Sequence, residues 1–273
     1  MKKHKALYIW LFSIVFTLGI AYYQRTTGPS YPVMKKVTIN NQQIKCKLPR
    51  SYGGEGNAEI KIAVPDTSIK GMIKYRRFKS FDEWSQMPMI RVGENLIAYI
   101  PHQPPAGKVM YEIYFENKNI SYVLTEEPVV IRFRGDVPPW VLIPHIILMF
   151  AAMLFSTRTG LEALTKGQNT FKYTIITVIS LFIGGAILGP LVQKYAFGAY
   201  WTGWPFGHDL TDNKTLVALL FWVIAMIVMW RKKTNRFWPI FAAIMLLIVY
   251  LVPHSVLGSE IDYTQKSELM KSK

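Results

Sequence analysis

Five apolar blocks constrain this chain more than any other feature: residues 7–23, 140–155, 173–192, 216–230 and 237–252. Each is almost free of charge. A helix needs about 20 predominantly apolar residues to cross a hydrocarbon core, and fewer when its flanks are interfacial. Burying five such helices in a soluble core would take far more polar chain than a 273-residue sequence that is 51% hydrophobic can supply. The expectation is a five-helix transmembrane bundle. The second block is short. It lengthens through 156–164 if Arg158, four residues before Glu162, snorkels to the membrane surface.

The formal net charge of +15 raises nucleic acid as a partner, and the placement of the basic residues argues against it. Lys2, Lys3 and Lys5 precede the first block; Arg158, Lys166 and Lys172 follow the core of the second; Arg231, Lys232, Lys233 and Arg236 fill the link between the last two. If the spans alternate, these segments share one side. By the positive-inside rule that side is the cytosol, so the reading is a multi-pass protein of a bacterial-type inner membrane with a cytoplasmic N-terminus. The remaining excess is scattered through the segment after the first block, as on a solvated surface or one facing anionic lipid. Cys46 is the single cysteine, so there is no internal disulfide and no metal-ligand spacing. Gly19-Ile20-Ala21 would suit a leader-peptidase site, while Tyr22 and Tyr23 suit the interfacial end of a retained anchor. We favour the anchor.

Residues 24–139 change period. Ile60, Ile62 and Val64 alternate with Glu59, Lys61 and Ala63, and Val109, Tyr111, Ile113 and Phe115 alternate with Met110, Glu112 and Tyr114. Further candidate strands cover 43–48, 69–75, 87–92, 96–100, 120–124 and 129–133. Turn residues at 51–56, 93–95 and 104–107 separate them. About eight short strands at this spacing predict an all-β sandwich inserted after the first helix. The run 96–115, with Gln103-Pro104-Pro105-Ala106-Gly107-Lys108 at its centre, resembles a hairpin of immunoglobulin-like extracellular modules. That resemblance implies a domain that binds or spaces other proteins. The predicted organisation is therefore residues 1–23 as N-terminus and first helix, and 24–139 as extracytoplasmic sandwich. A four-helix region follows over 140–252 (140–155, 173–192, 214–230, 237–252) with an outer loop at 193–213, then an extracytoplasmic tail at 253–273. Within the third block, Gly185 and Gly189 form a small-xxx-small pair expected to pack closely on a neighbouring helix.

In this topology three histidines fall on outward-facing pieces: His145 after Pro144, His208 in the outer loop, and His254 after Pro253. The loop carries Tyr195, Phe197, Tyr200, Trp201, Trp204 and Phe206, interspersed with Gly198, Gly203 and Gly207. An interfacial aromatic belt accounts for part of this. A flat platform for a large ring accounts for the glycine-laced density of aromatics. Lys214 is a cation at a helix N-terminus, where the helix dipole disfavours it, and Asp209 and Asp212 are its expected partners. Asp212 also suits the N-cap of the following helix. Glu260 in the tail adds a further outer-surface carboxylate.

The stretch Phe197–Thr215, F-G-A-Y-W-T-G-W-P-F-G-H-D-L-T-D-N-K-T, is similar to the tryptophan-rich external loop of the heme-handling proteins of cytochrome c biogenesis, the WWD domain. The similarity lies in Trp201, Trp204 and Asp209-Leu210-Thr211, and in a loop running straight into an apolar helix. In that family histidines flanking the loop act as axial heme ligands, and the order His145, loop, His254 matches theirs. The resemblance implies heme as a cofactor, ligated by His145 and His254 over Trp201 and Trp204, with His208 nearby. It covers about 110 residues. The departures are the Pro205–His208 interruption between Trp204 and Asp209, the five spans and the large sandwich.

Three functions stay open. A scaffold would use the sandwich and the aromatic, histidine-bearing surface to hold a membrane or periplasmic protein in an envelope complex. A heme-handling protein would use neutral imidazole, a good axial ligand for iron. A zinc site would use His145, His208 and His254, with Asp209 or Glu260 in reach. No Ser–His–Asp grouping, H-E-x-x-H motif or phosphate-binding glycine loop is recognisable, so the reading leans away from an enzyme.

Overall fold

The structure is a computed structural model describing residues 2–253 and 258–265, with the backbone alone for residues 2 and 3. The chain divides into two compact units, one formed by Met1–Pro29 and Val137–Ser259 and the other by Ser30–Asp136 and Glu260–Lys273.

The first unit is helical. It contains α1 (Lys2–Thr27), α2 (Pro139–Leu164), α3 (Thr170–Leu181), α4 (Gly189–Phe197), α5 (Leu210–Arg231) and α6 (Phe237–Leu251). Among the described residues six α-helices thus replace the five expected, because the third apolar block is broken. A π-helical turn, Phe182–Leu188, joins α3 to α4. Pro190 has no N–H to give the preceding turn, and the wider π-turn absorbs that loss. Four helical segments are long and apolar enough to cross a membrane: His4–Thr27, Pro139–Leu164, Thr170–Phe197 and Leu210–Arg231. The fifth apolar helix, α6, has 15 residues.

Helix α2 packs against α1, α3 and α6, and α5 packs against α3 and α6. Alanines make these interfaces thin. Ala152 and Met153 of α2, Ala218, Trp222 and Ala225 of α5, and Ala242 and Leu246 of α6 form one buried core. The close approaches of the π-turn come from Gly184 and Gly185. A Cβ on Gly184 would lie 2.8 Å from Leu148 Cβ, and one on Gly185 would lie 2.7 Å from Thr215 Cγ2. Gly189, the expected second member of the pair, has nothing nearer than 3.7 Å. The π-turn moves the tight contact forward from the i, i+4 register.

Arg158 does not snorkel. It is 2% exposed, ion-paired with Glu162 at 2.6 Å, and lies 5.3 Å from the Trp10 ring and 5.0 Å from the Tyr173 ring. The i, i+4 carboxylate neutralises the guanidinium, and aromatic faces from α1 and α3 take the place of water. Glu162 also accepts the Asn169 N–H at 3.1 Å.

The second unit is all-β apart from its last described residues. Its strands are β1 (Val33–Ile39), β2 (Gln42–Leu48), β3 (Ser51–Gly53), β4 (Ala58–Ala63), β5 (Lys70–Arg77) and β6 (Ser85–Pro88). They continue with β7 (Ile90–Val92), β8 (Asn95–Ile100), β9 (Lys108–Asn117), β10 (Ile120–Val123) and β11 (Val129–Arg134). One sheet runs β3-β11-β9-β5-β6, with β10 also on β9; another runs β4-β8-β7; β1 and β2 form a separate hairpin. Among the described residues only β3 and β11 pair in parallel. Alternation drives the packing: Ala58, Ile60 and Ile62 point in while Glu59, Lys61 and Ala63 point out. One continuous core takes Ile44 and Cys46 from the hairpin, Ile60 and Leu96 from the smaller sheet, and Ile73, Tyr111, Phe115 and Phe133 from the larger. Burial pushes the Cys46 thiol up to about 11, which leaves it a packing residue.

Turn chemistry explains where pairing occurs. Asn40-Asn41 and Lys118-Asn119 all have positive φ, as a two-residue turn between antiparallel strands requires. These turns close β1–β2 and β9–β10. The expected 96–115 hairpin is absent, since β8 and β9 lie in different sheets. Its proline-rich centre is a crossover. The expected strand at 87–92 divides at Met89, where the chain leaves the larger sheet for the smaller one.

Candidate functional site

The segment between α4 and α5 is built from its carboxylates outward. Helix α4 ends at Gly198, whose φ of 88° continues the turn without strain, and Lys194 Nζ donates to the Gly198 carbonyl at 2.9 Å. Helix α5 begins at Leu210, earlier than expected, so its N-cap is Asp209 and not Asp212. Asp209 accepts the Thr211 N–H at 2.8 Å. Its other oxygen accepts the Ser259 N–H at 2.8 Å and the Ser259 hydroxyl at 2.9 Å.

Asp212, in the first turn of α5, reaches back into the loop. Its Oδ2 accepts the N–H groups of Thr202 at 2.7 Å and Gly203 at 2.9 Å, and Gln193 Nε2 at 3.1 Å. Asn213 Oδ1 accepts the Trp204 N–H at 2.7 Å. Thr202 Oγ1 accepts from Gln193 Nε2 at 2.6 Å and lies within hydrogen-bonding reach of Asp209 and Ser259. A Cβ on Gly203 would sit 2.6 Å from that of Asp212, so only glycine lets the two segments approach. Asp209 and Asp212 are both buried. Burial raises the Asp209 carboxyl, but the bonds from Ser259, Thr211 and Thr202 outweigh it and hold the group below the ordinary carboxylate value.

This framework fixes the aromatics. Trp201 is half-buried, and its Nε1–H donates to the Trp204 carbonyl at 3.1 Å. Trp204 is 69% exposed and Phe206 83%, and Tyr200 is exposed beside the Lys194 ammonium, 5.3 Å from its ring. The loop therefore leaves apolar rings exposed on a backbone tied by buried carboxylates.

The remaining candidate residues separate. His145, on α2, is half-buried, with Nδ1 2.8 Å from the Gly184 carbonyl of the π-turn. His208 is exposed, immediately before the N-cap. His254 lies outside the described residues, and so does its separation from His145. Among the described residues, no three His, Cys, Asp or Glu side chains are grouped to hold a metal ion. Among the described residues Lys214 forms no salt bridge with Asp209 or Asp212, although the Asp209 carboxylate is near enough to attract it. Its Nζ donates to the carbonyls of Val252 at 2.9 Å and Pro253 at 3.2 Å, at the end of α6 where orphan carbonyls and the negative end of the dipole attract a cation.

Glu260 belongs to the β unit. It is ion-paired to Lys108 at 2.5 Å and to Lys79. The Ile261 N–H donates to the Ala106 carbonyl at 3.3 Å, and Tyr263 donates through N–H to Lys79 at 3.0 Å and through its hydroxyl to Gln103 at 3.0 Å. The Arg77 guanidinium covers the Tyr263 ring at 4.4 Å.

Sequence reasoning missed Gln193, Thr202, Asn213 and Ser259. Their polar side chains carry no spacing signal, because they converge only once Asp209 caps α5. No family model matches the chain, and comparison with curated proteins and with solved structures yields no match.

Proposed function

We propose that this protein is a multi-pass membrane scaffold that recruits an envelope protein through an extracytoplasmic immunoglobulin-like domain and the aromatic loop between α4 and α5. One observation carries the reading: Trp204 and Phe206 stand exposed on a backbone that buried Asp209 and Asp212 hold in one shape. Exposed rings on a mobile loop lose binding energy to ordering, whereas a preorganised surface does not. Aromatic residues dominate recognition hot spots for the same reason, through large contact area with few rotatable bonds.

The strand order supports the immunoglobulin-like assignment. With β3 as A′ and β11 as G, the larger sheet reads A′-G-F-C-C′ and the smaller reads B-E-D, the order of variable-type domains. Tyr111, near the start of the F-equivalent β9, donates its hydroxyl to the Pro49 carbonyl at 2.8 Å and so ties this strand to the segment between β2 and β3. The B–F disulfide and the strand C tryptophan have no counterpart, and aliphatic packing around Ile60 and Ile73 fills that space.

The test is site-specific photocrosslinking from position 206 in native membranes. Under this reading a discrete protein adduct forms from position 206, and adding Trp204→Ala to the same chain removes it while the thermal midpoint stays unchanged. Adducts to lipid alone would overturn it.

A second reading, heme handling, is favoured by His145. Its Nδ1 is engaged by a backbone carbonyl, an arrangement that fixes the ring and leaves Nε2 for a metal. Of the three histidines expected on the outer surface, the described ones are this imidazole and the exposed His208. An absorption spectrum of the purified protein with and without added heme decides it. A Soret band lost in His145→Ala would support heme, and an unchanged spectrum of free heme would exclude it.

A further inference from the structure

The charge of the β unit is unevenly held. Residues 51–136 contain eleven basic and eleven acidic side chains, while residues 30–50 contain Lys35, Lys36, Lys45, Lys47 and Arg50 and no acid. The whole positive excess of residues 30–136 therefore lies on β1, β2 and their flanks.

The pairing register places three of these five, Lys36, Lys45 and Lys47, on one face. Lys36 lies directly opposite Lys45, and Met34 opposite Lys47, with Thr38 and Gln43 completing the row. The other face buries Ile44, Cys46 and Leu48 in the core. Because Cβ atoms directly opposite one another are about 5 Å apart, the Lys36–Lys45 pair costs folding energy rather than supplying it. No salt bridge among the described residues relieves it. Met34, 60% exposed, shares the face. A hairpin that keeps like charges opposed beside an exposed methionine is arranged for an anionic, partly apolar surface.

The chain says where such a surface lies. Only residues 28–32 separate the first apolar helix from β1. A linker of that length reaches at most about 20 Å, so the hairpin is tethered within headgroup range. We propose that the outer face of β1–β2, through Lys36, Lys45 and Lys47, binds anionic lipid headgroups of the adjacent leaflet. Each lysine near an anionic surface strengthens such attachment about fivefold, and salt weakens it.

Hydrogen exchange of the full chain in nanodiscs tests this, comparing phosphatidylcholine alone with phosphatidylcholine mixed with phosphatidylglycerol. The expected result is slower exchange across residues 33–48 in the anionic discs. That slowing disappears at high salt and in the Lys36→Gln, Lys45→Gln, Lys47→Gln variant. The same variant in neutral discs is at least as protected as wild type, because the opposed charges are gone, which separates lost binding from lost folding. Lys61→Gln with Lys70→Gln, on the charge-balanced part of the unit, keeps the response. Equal exchange in the two lipids, or a response that survives the triple substitution, would overturn the proposal.

Discussion

At the scale of the residue, the loop between α4 and α5 separates side chains that build from side chains that present. Asp212 is a builder. Replacing it with alanine leaves the Thr202 and Gly203 N–H groups and Gln193 Nε2 without their acceptor in a buried site, each worth on the order of 1–3 kcal/mol. Asp212→Ala is expected to speed amide exchange at 202 and 203 and to shift the emission of Trp201 and Trp204. Phe206→Ser touches nothing buried and should leave stability within about 0.5 kcal/mol. If Asp212→Ala left loop exchange unchanged, the pinned-platform argument would fail. Glu260 gives a pH test. Burial raises its carboxyl, but the Lys108 and Lys79 ammonium groups outweigh that and hold it below the ordinary glutamate value. A depressed carboxylate contributes stability above its unfolded pKa and loses it as pH falls through the folded value. The tie of residues 260–263 to the β unit should therefore hold at neutral pH and loosen on acidification below the ordinary glutamate range. Protection of the Tyr263 amide against pH reads this directly, and Glu260→Gln should show weaker protection at neutral pH with little pH dependence.

At the scale of the element, the sequence was legible wherever a pattern was local. Strict alternation located β4 and β9 to within a residue or two, and apolar blocks located every long helix. What escaped had non-local causes. Strand β3 lies in a stretch that reads as a turn, and pairs only because β11 passes beside it. The split at Met89 follows from two sheets competing for one run of residues. Arg158 looked like a surface residue because nothing in α2 announces that Trp10 and Tyr173, far away in sequence, will close over it. Of the site, the aromatics, glycines and carboxylates were visible as residue types, but their roles were not. The N-cap falls three residues earlier than Asp212, which frees Asp212 to bind the loop backbone, and the hydrogen bonds of Lys214 go to the Val252 and Pro253 carbonyls, far off in sequence. The π-turn shows the same limit and offers a test. Sequence spacing pairs Gly185 with Gly189, whereas the packing puts the close contacts at Gly184 and Gly185. Gly185→Ala should lower the thermal midpoint in detergent by the equivalent of about 1–3 kcal/mol, the usual cost of overpacking. Gly189→Ala, with its nearest contact at 3.7 Å, should be tolerated. The opposite ranking would show that the helix keeps a regular register.

At the scale of the whole molecule, the two halves of the β unit constrain the membrane topology independently of charge. Residues 30–136 and 260–265 fold as one body, held by Glu260, Ile261 and Tyr263. The chain between them must then cross the membrane an even number of times. Three segments in that interval are long enough without question: α2, the α3–α4 segment and α5. An even count predicts that α6 crosses as well, although its 15 residues span only about 22 Å of a core near 30 Å. Interfacial flanks supply the difference. Trp238 stands at one end of α6, and the Lys214 ammonium binds the Val252 and Pro253 carbonyls at the other. Topology reporters should therefore agree at residues 55 and 273 and give the opposite signal at 168 and 234. With Lys166, Lys172 and Arg231–Arg236 concentrated at the latter pair, alkaline phosphatase should be active at the first two positions and inactive at the second two. Opposite signals at 55 and 273 would mean that α6 lies in the interface and that the tail cannot reach Lys79 and Lys108 in the membrane-bound protein. The aromatic loop would then lose the Ser259 anchor that Asp209 provides, and with it the basis for a rigid recognition surface.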